Sequence, residues 1–189
     1  MSRLVLTTGG GRSGKSAYAQ AMAEALPGPR AFVATCPVID DEMRHRIAKH
    51  RRDRAGKDWT TIEEPEDLVA AIRSAAGHGV VLVDCLTLWV NNLMYAAELR
   101  GERLTEAMVA ARCRDVLAAA REHGGTVVFV TNEVGMGIVP EHAGARHFRD
   151  LAGRVNQVIA ADCDEVFLLV CGQPLRIKGG EPVSKPSAS

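Results

Sequence analysis

Residues 9–16 read GGGRSGKS and fit the spacing G-x-x-x-x-G-K-[ST]. Gly9 and Gly14 permit backbone conformations that turn successive N–H groups inward onto phosphate oxygens, and a helix starting there adds its positive N-terminal end. Lys15 then reaches the outer phosphates, and Ser16 offers its hydroxyl to Mg²⁺. Further along, the apolar run VVLVDC closes on Asp84, where a carboxylate can hold the Mg²⁺ of the same nucleotide. Together these residues predict a nucleoside triphosphate site. They leave open whether the triphosphate serves a kinase, a nucleotidyltransferase, a motor or a switch.

A second group of chemically able residues lies in DDEMRHRIAKHRRDR, residues 40–54. Pro37 ends the preceding extended run, Asp40 suits a helix N-cap, and acids at 40–42 with cations at 51–54 match the helix dipole. On a helix Met43, Ile47, His50 and Arg54 share one narrow stripe, whereas His45 falls nearly opposite, beside Arg44 and Lys49 on a charged surface. His50 therefore faces whatever Met43 and Ile47 pack against. Two roles fit that position. One is a half-buried histidine bonded to a neighbour; the other is a nucleophile whose imidazole attacks phosphorus while arginines neutralise phosphate charge.

These residues need a scaffold that brings them together. Short apolar runs recur at RLVLTT, RAFVATC, VVLVDC, TVVFVT and DEVFLLVC, separated by segments with helical spacing over 15–26, 40–54, 66–75, 87–98, 104–123 and 144–161. Continuous rather than alternating apolar runs predict strands buried on both faces. The fold class is therefore α/β: a single P-loop domain over 1–178 with a mostly parallel sheet and helices on both faces. GQPLRIK follows the fifth run through a Gly-Gln-Pro turn and predicts an antiparallel edge strand, while 179–189 reads as a disordered tail.

Composition sets the outer bounds. With 189 residues, 23 basic and 23 acidic side chains and 47% hydrophobic residues, the chain suits one packed core and carries no global field toward nucleic acid or a membrane. The N-terminal apolar run is too short for a spanning helix or a signal peptide, so the cytoplasm is the expected compartment. Five cysteines without C-x-x-C spacing read as reduced, mostly buried thiols. TNEVGMGIVPEHAGARHFRD leaves the fourth run with Asn132 and Glu133, passes a Gly-rich loop and enters a helix bearing Arg146, His147 and Arg149. That segment reads as a substrate-facing flap or an ordinary strand-to-helix connection. Trp89 reads as a core or an interface residue.

The blocks GGGRSGKS, ATCPVIDDEMRHRIAKHRRDR, WTTIE, VLVDCLTLWVNNL and TNEVGMGIVPEHAGARHFRDLAGRVNQ, in this order, closely resemble the bifunctional adenosylcobinamide kinase / adenosylcobinamide-phosphate guanylyltransferase family of cobalamin biosynthesis. The resemblance runs from about residue 4 to about residue 178. It implies two activities. ATP or GTP phosphorylates the aminopropanol hydroxyl of adenosylcobinamide; GMP then passes from GTP to adenosylcobinamide phosphate through a GMP-histidine intermediate. In the family the nucleophile is the histidine of R-I-x-x-H, which here is RIAKH and falls on His50. Nucleotide contacts carry over to Gly9, Gly10, Gly11, Arg12, Ser13, Gly14, Lys15 and Ser16, to Ala34, Thr35 and Cys36, to Arg51, Arg52, Asp53 and Arg54, and to Glu63 and Asp84. Two positions depart from the family's pattern: Asp53 interrupts the basic run, and position 84 can carry Glu in relatives. The resemblance also implies Mg²⁺ and a homo-oligomer, a trimer. A P-loop kinase without guanylyl transfer and a nucleotide-gated switch are the competing expectations.

Overall fold

The computed structural model describes residues 2–36, 54 and 56–180. The helix expected over 40–54 lies outside the described residues except for Arg54, and so do His45, His50, Arg51, Arg52, Asp53 and the tail from 181. Among the described residues the strands are β1 (Arg3–Gly9), β2 (Arg30–Ala34), β3 (Trp59–Glu63), β4 (Val80–Asp84), β5 (Thr126–Val130), β6 (Glu165–Val170) and β7 (Gln173–Lys178). The helices are α1 (Lys15–Glu24), α2 (Leu68–Ser74), α3 (Leu86–Leu99), α4 (Glu106–Glu122) and α5 (Ala143–Asp162), with a 3-10 turn at Val134–Met136.

The strands form one sheet in the order β3-β2-β4-β5-β1-β6-β7, parallel throughout except for the antiparallel β6–β7 edge. Side chains alternate across it. Val5, Leu82, Val128 and Val130 meet Ala19 and Ala23 of α1 on one face. Leu4, Leu6, Val83, Val127 and Phe129 meet Ile72, Trp89, Val116 and Ile159 of α2–α5 on the other. Both faces are thus dry, which is why the strands read as unbroken apolar runs. Trp89 resolves as core: it is 1% exposed, and its indole N–H donates to the Glu66 carbonyl at 2.8 Å.

Helix ends follow their caps. Asp67 accepts from Ala70 N at 2.9 Å, and Thr105 accepts from Met108 N at 3.3 Å, so α2 and α4 each begin two residues later than periodicity predicts. β3 escapes the sequence pattern. Its WTTIE is half polar and half exposed, as an edge strand can be, and only its register with β2 makes it a strand. The final hairpin also turns earlier than expected. Cys171 and Gly172 take positive φ of 52° and 77°, and Gln173 and Pro174 already belong to β7. Two successive positive φ values match the twist of a two-residue hairpin, and an edge strand tolerates proline.

Candidate functional site

The carboxyl ends of five parallel strands meet along one rim. Ala34 is level with both Glu63 and Asp84, Asp84 is level with Val130, and Val130 with Thr7, two residues before Gly9. In open α/β sheets this edge is where ligands bind.

The phosphate loop leaves β1 at Gly9. A Cβ there would lie 2.6 Å from the Leu169 carbonyl oxygen and 2.7 Å from Ser13 Oγ, so only glycine fits. Gly14, at φ 93°, is the N-cap of α1, and a Cβ on it would press on Gly172 Cα at 3.1 Å. Gly172 N also donates to the Ser13 carbonyl at 2.9 Å, so the β6–β7 hairpin buttresses the loop from outside. Gly10, Gly11 and Arg12 arch through solvent, Arg12 with φ 58°. Lys15 is only 8% exposed, and its Nζ donates to the Gly10 carbonyl at 3.1 Å across the loop mouth. Burial holds its ammonium below the ordinary lysine range, against the opposing pull of Asp84 and Cys85. The cation is therefore poorly hydrated and positioned to gain from an anion.

A cleft of ≈ 490 Å³ opens beside the loop, lined by Ser16, Gln20, Glu24, Phe32, Arg54 and Asp84 among others. Ser16 and Asp84 bring two hard oxygen donors to one wall, a set that suits Mg²⁺ sharing its remaining positions with phosphate and water. The Arg54 guanidinium lies over the Phe32 ring at 3.6 Å and is 5% exposed, bringing the last member of the basic run to the same cleft.

Thr35 has a different position from the other expected contacts. It is fully buried; its hydroxyl donates to the Cys85 carbonyl at 2.8 Å and accepts from Cys85 N at 2.7 Å. Asn92 Nδ2 in turn donates to the Thr35 carbonyl at 2.8 Å. Thr35 thus fixes the backbone immediately after Asp84. Ala34 sits at the rim beside it, and Cys36 is half-buried. Glu63 is exposed at the end of the edge strand β3, with β2, β4 and β5 between it and the loop-bearing β1. Burial pushes the Cys85 thiol up to about 11 and those of Cys113 and Cys163 up to about 12, so all three stay protonated and unreactive. Cys171 is exposed.

Two of the polar side chains on the helix that follows β5 are engaged by nearby backbone carbonyls. Arg146 donates to the Pro140 carbonyl at 3.0 Å, and His147 Nε2 pairs with the Leu104 carbonyl at 2.8 Å. The start of the segment after β5 carries a polar network that no motif announces. Thr131 Oγ1 donates to Asn156 Oδ1 at 2.7 Å, Asn132 N donates to Thr87 Oγ1 at 2.8 Å, and Glu133 Oε1 accepts from Thr8 Oγ1 at 2.7 Å and Asn156 Nδ2 at 3.1 Å. The available signal was compositional: threonine, asparagine and glutamate stand where apolar strands should simply end.

Comparison with known proteins adds an independent line. The family model described as cobinamide kinase / cobinamide phosphate guanyltransferase matches residues 5–177. The chain is 42% identical over 187 residues to the bifunctional adenosylcobalamin biosynthesis protein CobU of Escherichia coli, covering 93% of this chain and 99% of that protein. It is 41% identical over 182 residues to the bifunctional adenosylcobalamin biosynthesis protein CobP of Pseudomonas aeruginosa, covering 94% and 98%. Among solved structures, a KaiC-like protein from Pyrococcus horikoshii shares the fold with a TM-score of 0.53 at 16% identity, over 95% of this chain and 80% of that one.

Proposed function

The chain belongs to the cobinamide kinase / cobinamide phosphate guanyltransferase family, and on that premise we propose that it is a bifunctional transferase of cobalamin biosynthesis. It phosphorylates adenosylcobinamide with ATP or GTP, then transfers GMP from GTP onto adenosylcobinamide phosphate. The observation that carries this reading is the convergence of Ser16, Asp84 and Arg54 on one cleft at the carboxyl rim of the sheet, with the Lys15 ammonium coupled to Asp84 beside it. That arrangement neutralises triphosphate charge from several sides, as phosphoryl and nucleotidyl transfer both require.

Residues 9–16 cradle the phosphates and Lys15 draws charge from the outer ones. Ser16 and Asp84 would hold Mg²⁺, which when bound would offset the charge of the phosphate oxygens. In the second reaction His50 attacks the α-phosphorus of GTP, pyrophosphate leaves, and the corrinoid phosphate displaces the imidazole. A neutral imidazole is the reactive form, and one of ordinary pKa, about 6.5, is mostly neutral at pH 7. The resemblance also supports a homotrimer and a cytoplasmic site of action; among the described residues no helix is long and apolar enough to cross a membrane.

The test is incubation with α-labelled GTP and Mg²⁺, followed by denaturation. We expect label on the chain that is stable to alkali, labile to acid, lost in His50→Ala and kept in His45→Ala. Equal labelling of the two variants removes His50 from its role. Absence of label on the parent favours a kinase without guanylyl transfer.

A further inference from the structure

β5 lies between β1, which carries the phosphate loop, and β4, which ends on Asp84. Val130 is level with Thr7 on one side and Asp84 on the other, so the residues that follow β5 emerge between the cradle and the metal-binding carboxylate. Strands stand about 4.8 Å apart, which places this point within about 10 Å of both neighbours' ends. Glu133 is fixed there. Its backbone N donates to the Gly9 carbonyl at 3.1 Å, tying it to the first residue of the phosphate loop.

Its carboxylate is held from the opposite face. Lys15 and Ser16 open α1 on one side of the sheet, whereas Glu133 Oε1 is pinned by Thr8 and by Asn156 of α5 on the other. Oε2 makes no hydrogen bond among the described residues, and the side chain is only half-buried. A carboxylate at a phosphate site opposes nucleotide binding through like charge, so a filler role does not explain why Thr8 and Asn156 hold it there. An acceptor-only oxygen at strand ends between the phosphate loop and Asp84 is what an attacking hydroxyl needs.

We propose that Glu133 is the general base of the kinase step, an inference that rests on the bifunctional reading above. As the acceptor hydroxyl oxygen forms its bond to the γ-phosphorus, its proton passes to Glu133 Oε2. The bond from γ-phosphorus to the bridging oxygen breaks, and the nucleoside diphosphate leaves with that electron pair. Glu133 then returns the proton to water. Guanylyl transfer has no use for this base, because its acceptors are an imidazole nitrogen and an already ionised phosphate.

The experiment compares the parent with Glu133→Gln in two assays. One follows γ-labelled ATP transfer to adenosylcobinamide; the other follows pyrophosphate release from GTP with supplied adenosylcobinamide phosphate. Glutamine keeps the acceptor that Thr8 and Asn156 use but cannot take a proton. We expect kcat of the kinase step to fall about 10²-fold or more, with KM for ATP and guanylyl transfer each within about threefold of the parent. A kinase kcat that stays within about threefold overturns the assignment. Equal losses in both assays also overturn it, since the carboxylate would then only shape the cradle. A parent that transfers no phosphate to adenosylcobinamide overturns the bifunctional reading itself; a parent that does, beside a Glu133→Gln enzyme of unchanged rate, overturns this inference alone.

Discussion

Lys15 carries its charge in a nearly closed position, answered by one loop carbonyl and the nearby Asp84. Burial disfavours the ammonium, so the residue spends folding stability to hold a cation ready for phosphate. Lys15→Met should therefore lower the kinase rate about 10²- to 10³-fold while leaving the melting temperature equal to or above the parent's. The exposed Gly10 carbonyl can turn to water once its partner is gone, so no buried acceptor is orphaned. A calorimetric scan beside a rate measurement checks both halves; a clear drop in melting temperature would mean that the lysine holds the loop together. Glu133 is a second charged residue whose position opposes phosphate binding by like charge, and proton acceptance in the kinase step accounts for that position.

At the scale of elements, two pieces of structure act as braces for the rim. The β6–β7 turn supports the phosphate loop by its hydrogen bond from Gly172 to Ser13 and by close contact with Gly14. The end of β2 supports Asp84: Thr35 donates to the Cys85 carbonyl and accepts from its N–H, both inside the core. Thr35→Val keeps the shape but removes both bonds. The Cys85 carbonyl retains its bond from Trp89 N, so the orphan is the Cys85 N–H. The expected cost is about 1–3 kcal/mol in urea unfolding, together with about a tenfold fall in the kinase rate as Asp84 loses its fixed backbone. Unchanged stability would show that Thr35 meets nucleotide rather than backbone. The phosphate loop and Asp84 are thus held by neighbours in space and not by neighbours in sequence.

Across the whole molecule the two edges of the sheet divide the labour. Chemistry gathers at the carboxyl rim, while the amino edge is tied by Asp164, which accepts from Arg121 at 2.9 Å and from Leu4 N at 2.7 Å. The Arg121 guanidinium is the main cause that holds the Asp164 carboxyl below its ordinary range, with the Leu4 N–H adding to it. A depressed carboxyl contributes stability above the ordinary value of about 3.9, and that contribution is lost as pH falls through the folded-state value. Asp164 is partly exposed, so the effect is screened. Asp164→Asn should cost about 0.5–1 kcal/mol at pH 7, a difference that is smaller at pH 3, with kinase rate unchanged. Urea titrations of the parent and the variant at the two pH values measure it; a difference that grows on acidification would contradict the sign.

What local chemistry can encode was legible along the chain. GGGRSGKS specifies a phosphate loop because glycine spacing and a lysine at a helix start are contiguous, and five apolar runs specify buried parallel strands because both faces are dry. The sequence did not disclose β3, whose Trp59–Glu63 is polar enough to pass for a loop until β2 pairs with it. Nor did it reveal that the last turn is Cys171–Gly172, since the sign of φ at a cysteine leaves no compositional trace. Strand order was decided only in three dimensions, and strand order places β5 between the loop and Asp84 and so brings Glu133 to the rim. Thr35 and Thr8 look alike in sequence, each a threonine near the end of an apolar run. Their partners, Cys85 and Glu133, lie 50 and 125 residues away, and hydrogen bonds of that range exist only once the sheet has closed.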